Sequence, residues 1–131
     1  MGQQQLLLLV LSVIIVGIAV VIGISMFNDQ AASSNLDSVS ADLMHLASRS
    51  QQYYSRPLSM GGGGNAFTGV TLAILTSTPA NENGTFTLGA ISAQNMTING
   101  VGKRDGNKNG SPCAANVYVT VDSIRLNITD R

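Results

Sequence analysis

Charge is scarce in this chain. Only 11% of its 131 residues are Asp, Glu, Lys or Arg, and the two signs cancel. No basic field is available to gather nucleic acid, and no acidic face to gather cationic partners. Cys113 is the only cysteine, which excludes an intrachain disulfide and a multi-cysteine metal site. A buried, inert thiol is its expected state. The one histidine, His45, stands between Met44 and Leu46 with no acid or nucleophile beside it. The seven acidic residues are scattered, so no nucleophile, base and orienting group assemble from local motifs, and neither an enzyme nor a cofactor is expected. Tryptophan is absent, and Phe27, Tyr53, Tyr54, Phe67, Phe86 and Tyr118 are too few and too dispersed to form a stacking platform for nucleic acid. They are expected to fill a core.

What the chain does have is grease at one end. Leu6 to Phe27 form one apolar run, interrupted only by Ser12, Gly17, Gly23 and Ser25. A run of about 20 apolar residues is enough to cross a bilayer core. A cleavable secretory signal fits less well, because such segments carry a positive n-region and an apolar core of about 7 to 15 residues, whereas Met1 to Gln5 bear no charge. The missing basic flank fits a mature product whose basic leader has been removed. With no turn signal between, the run leads into Ala32, Leu36, Val39, Leu43, Leu46 and Tyr53, a stripe at helical spacing. Ser33, Asp37, Ser40, Ser48 and Arg49 are read onto the opposite, wet side. Arg56-Pro57 closes the helix, since proline disfavours helical geometry in the residue before it. A rod from Gln3 to Tyr54 would be about 75 to 80 Å long, far more than so small a domain can cover.

Past Pro57, Gly, Asn, Ser and Thr dominate while Lys and Glu are scarce, a composition suited to an extracellular β-rich surface. Gly61 to Gly64 read as a flexible connector. Beyond it the apolar period becomes two, in Val70, Leu72 and Ile74, then Phe86 and Leu88, then Met96 and Ile98 followed by Asn99-Gly100 as a turn pair, then Val117, Val119 and Val121, and last Ile124, Leu126 and Ile128. The apolar positions change parity across Asp122-Ser123, so a tight turn or bulge is expected there to restore the inward face. The expectation is an α+β fold, with a long N-terminal helix packed by its amphipathic second half against a small antiparallel β-sheet head. Residues 1–28 form the apolar half, 29–56 the packing half, 57–66 the connector and 67–131 the head.

A long N-terminal helix, apolar in its first half and amphipathic in its second, with a small sheet on the second half, resembles the type IV pilin and pseudopilin superfamily. The resemblance covers the helix well and the head in outline. It implies a basic leader removed by a prepilin peptidase, a methylated N-terminus at Met1 or, after cleavage behind Gly2, at Gln3, and insertion in the cytoplasmic membrane before assembly. It also implies a structural subunit that polymerises through this helix into an extracellular filament at the cell surface, with the assembly machinery and other copies of itself as partners. Assembly would then rest on Met1, Gln5, Leu6, Leu9, Val13, Val16, Gly17, Val20 and Gly23. Bacterial members usually carry glutamate where this chain has Gln5, and an amide accepts a hydrogen bond from an ammonium but gives no ion pair. The proline that often marks a loosened stretch is also missing, and Gly17 to Gly23 takes its place as the weakest part of the rod. A pseudopilin of a secretion or DNA-uptake apparatus and a single-pass anchored binding module are the alternatives.

Two local patterns remain. Asp105, Asn107 and Asn109, followed by Gly110, match the first half of a calcium loop. Asn116 stands where the bidentate glutamate belongs, and Lys103, Arg104 and Lys108 lie close by, so an exposed turn is the favoured reading and a metal site the weaker one. Asn83, Asn95 and Asn127 each open an Asn-X-Thr triplet for N-linked glycans, and Asn109-Gly110-Ser111 is a poorer one because Pro112 follows it.

Overall fold

The computed structural model describes residues 2–131. A single helix, α1, runs unbroken over Gly2–Ser55, and its 54 residues give a rod about 80 Å long. No proline interrupts it, and it stays helical through Gly17 and Gly23. Its serines turn their hydroxyls back on the preceding turn. Ser12 Oγ donates to the Leu8 carbonyl at 2.7 Å and Ser50 Oγ to that of Leu46 at 2.8 Å, which satisfies a polar group inside an apolar surface.

The rod ends in a cap built from glycine. After a short 3-10 turn at Leu58–Met60, the chain folds back on the last helical turn. Gly63 N–H donates to the Tyr53 carbonyl at 2.8 Å, Gly64 N–H to that of Arg56 at 3.0 Å and Asn65 N–H to that of Tyr54 at 2.8 Å. These bonds supply the carbonyls that a helix end leaves without partners. Gly62 and Gly63 are buried, and a Cβ on Gly63 would lie 1.9 Å from the Ala66 carbonyl oxygen. The segment that composition marks as an open connector is thus a bonded, packed cap.

The head is a four-stranded antiparallel meander, β1 (Gly84–Ile91), β2 (Asn95–Gly102), β3 (Ala114–Thr120) and β4 (Ile124–Asp130), in spatial order β1-β2-β3-β4. The protein is therefore α+β, with the second half of α1 packed on one face of the sheet. Every residue of the stripe Ala32, Leu36, Val39, Leu43, Leu46 and Tyr53 is buried. Opposite them lie Phe86, Met96, Ile98, Ala115, Val117 and Val119, with Phe67, Val70 and Leu75 closing one side. Cys113 is buried in the same core, its thiol 3.3 Å from Asn35 Oδ1.

Three local expectations change. Val70 to Ile74 do not form a strand; Leu72–Leu75 are a single helical turn, α2. The sheet edge they would have joined is already taken, since Phe86 N–H donates to the Pro79 carbonyl at 2.8 Å and Ala80 bridges to Thr85. Asn99-Gly100 is not a turn but the middle of β2, where Gly100 pairs with both Phe86 and Ala115. A Cβ there would sit 3.0 Å from Val39 Cγ1 and 3.2 Å from Leu43 Cδ1, so the glycine lets the helix side chains pack closely on the sheet. The β3-β4 turn falls one residue early, around Val121 and Asp122, closed by Thr120 N–H to the Ser123 carbonyl at 2.9 Å. Val119 then faces Ile124, and the tight turn keeps the inward face without a bulge.

Candidate functional site: the bare half of the helix

From Leu6 to Phe27 every large apolar side chain is exposed, between 52% for Ile14 and 71% for Phe27. The helix is long and apolar enough to cross a membrane, and none of its most apolar window is covered by the rest of the chain. Leu6, Leu9, Val13, Val16, Val20 and Gly23 follow one another at alternating steps of three and four, which lays them along one side of the rod. Gln5 is exposed above them, and Met1 lies outside the described residues. Nothing comes within 4 Å of a Cβ placed on Gly17 or Gly23, so these two positions leave shallow, open notches in the rod. The structure brings none of these residues into contact with the head.

Below the bare half, the head is fixed to α1 by polar side chains as well as by the core. Asn35 Nδ2 donates to the Asn83 carbonyl at 2.7 Å, while its Oδ1 accepts from Lys103 N–H at 2.8 Å and Arg104 N–H at 3.2 Å. Asp42 Oδ2 accepts from the amides of Asn81 and Asn83, both at 2.9 Å. Arg49 Nη1 donates to the Leu75 carbonyl at 2.9 Å, so its guanidinium serves the head rather than the wet side assigned to it from spacing. Gln51 Nε2 reaches the Thr120 carbonyl at 2.9 Å. Sequence reasoning passed over Asn35, Asp42 and Gln51. A signal was there, because Asn35, Asp42 and Arg49 recur every seven residues alongside the apolar stripe, the spacing of one helix side.

The loop after β2 bonds with itself. Asp105 Oδ1 accepts from Lys108 N–H at 2.7 Å and its Oδ2 from Gly110 N–H at 2.7 Å. Asn107 Oδ1 accepts from Asn109 N–H, and Asn109 Oδ1 from Ser111 N–H. These main-chain bonds are those of a self-bonded Asx-rich turn. The amides of Asn107 and Asn109 point to Asp130 at the end of β4. The Asn109 bond, opposed by desolvation and helped by Asn107 and the Arg131 main chain, holds the Asp130 carboxyl below the usual aspartate value. Among the described residues no group of three or more His, Cys, Asp or Glu side chains converges. His45 is exposed.

The glycan acceptor positions differ in access. Asn83 is half-buried and spends its amide on Asp42, and Asn95 is half-buried at the start of β2. Asn127 is exposed on the edge strand β4, as is Thr129 two residues on. Comparison of the chain with protein-family profiles, with curated proteins and with solved structures found no match.

Proposed function

We propose that this chain is the structural subunit of a type IV pilus-like filament, held in the cytoplasmic membrane by the first half of α1 and then polymerised through that half into a fibre outside the cell. The observation that carries the reading is the division of one uninterrupted helix into a covered and an uncovered half. The head completes its own core with the second half, so it needs nothing from the first. Seventeen large apolar side chains between Leu6 and Phe27 are left in the open, and exposing them to water would cost on the order of tens of kcal/mol. Lipid can cover them, and so can the same segment of other copies, bundled with its β-branched and small residues in close contact.

The filament function is structural, with no chemistry asked of the chain. Helices occupy the centre of the fibre and the sheets its exterior, where the Thr- and Asn-rich outer face of the head meets solvent. Gln5 docks through hydrogen bonds alone, without a buried ion pair and its desolvation penalty. The test is to purify the full chain in mild detergent, withdraw the detergent and examine the product by negative-stain microscopy. Fibres of uniform width support the reading. Chains that remain single in every detergent, or that return to vesicles as dispersed monomers, identify a permanently anchored module instead.

A further inference from the structure

Two exposed patches lie at opposite ends of the head and complement each other. At the end nearest the bare rod, α1 and β4 diverge and leave an open groove of about 420 Å³. Ala32 and Leu36 form its helix wall and Ile128 its sheet wall, with Asp29 and Asp37 on the helix rim and Arg131 on the far side. Ile128 is 43% exposed, as is its inward-facing neighbour Leu126 at 40%. They face the same side as the core residues Ala115 and Val117, with which they pair, but the helix leaves them partly uncovered. Asp29 shares Lys108 at 3.8 Å, whereas Asp37 has no ion pair among the described residues. At the other end the 3-10 turn projects Leu58 and Met60, 76% and 69% exposed, beside Arg56, which is likewise exposed and without an ion pair among the described residues.

We infer that the groove is the seat for a second copy of this chain, whose Arg56–Met60 tip inserts Leu58 and Met60 against Ile128, Leu126 and Leu36 and sets Arg56 opposite Asp37. The inference rests on the filament reading and adds to it a contact between heads. Lengths agree with it. Asp29 and Asp37 precede Arg56 by 27 and 19 residues, which is about 30 to 40 Å along the helix. The bare rod below the head, residues 2–28, has nearly the same length, about 40 Å. A copy displaced by one head length along the rod therefore meets its neighbour's tip with its groove while its own bare half still reaches the central bundle. The two patches are different surfaces, so the contact is heterologous, and because each copy is displaced along the rod it builds an open helical polymer rather than a closed ring.

The test uses full-length chains carrying Ser33→Cys in the groove and Ser59→Cys in the tip, positions that spare every side chain named in the contact. Cys113 stays in place because it is buried. Filaments of the paired variant, oxidised and run on a denaturing gel, should give a ladder of linked multimers, and filaments of either single variant should give none. Filaments that form but yield only monomers on the gel overturn the head contact and leave the polymer reading standing. Chains that never polymerise, wild type included, overturn both. As a second measurement, Arg56→Glu should raise the concentration needed for assembly about tenfold, and adding Asp37→Lys should bring it back to within about threefold of wild type. An unchanged threshold in Arg56→Glu, or no recovery in the double variant, rejects the Arg56–Asp37 pairing.

Discussion

The two halves of α1 share one backbone, yet their apolar side chains have opposite fates. In the second half Val39 and Leu43 are completely buried; in the first, Val13 and Leu7 are 66% and 70% exposed. The covered half alternates apolar with polar residues and needs only one sheet to hide its stripe. The bare half is apolar all round and no single partner surface can cover it. A helix with a narrow stripe completes a domain, while a helix greasy on every side requires lipid or a ring of neighbours.

The sharpest way to break this comparison is to put charge on the bare half. Val16→Asp or Val20→Asp should abolish filaments altogether and leave thermal unfolding of the head in detergent unchanged. Fibres from either variant would count against the central bundle. The converse change is Leu43→Ala, which removes a fully buried side chain from the covered half and should lower head stability by about 3 kcal/mol, read from denaturant unfolding. Asn35→Ala leaves the Lys103 and Arg104 N–H groups and the Asn83 carbonyl without their partner, and a loss of about 1 to 2 kcal/mol is expected from the same measurement.

The smallest effect concerns pH. Because the folded protein holds the Asp130 carboxyl below its ordinary value of 3.8, ionised Asp130 favours the folded state. That contribution is fully present above pH 3.8 and fades as pH falls through the lower folded value. The stability difference between wild type and Asp130→Asn should accordingly be small at neutral pH and shrink further in acid. A difference that grew on acidification would show that Asp130 is not held in its charged form.

The periodic parts of this molecule were legible in advance. The apolar run, the stripe from Ala32 to Tyr53 and the inward residues of β1 to β4 each announce themselves through spacing alone, because a helix or strand repeats its geometry and selects residues at the same interval. Legibility failed where a residue answers to something distant in the chain. Gly100 looks like half of a turn until Val39 and Leu43 press on it. Val70 to Ile74 alternate like a strand, but the sheet edge they would need is filled by Pro79 and Ala80. The Asp105 loop carries half of a calcium pattern, and only the folded chain brings Asp130 to its amides.

Sequence alone determined that the chain has one rod, that the rod's first half is too greasy for water and that its second half carries a stripe for a sheet, since these follow from local composition and period. Tertiary structure decided how much of the sheet the helix covers, and so left Ile128 lining an open groove and Leu126 exposed while the glycine cap presents Leu58 and Met60 at the far end. The reason is geometric. Burial belongs to pairs of surfaces, and a one-dimensional pattern specifies which face is apolar without stating how much of it the opposing element is wide enough to cover.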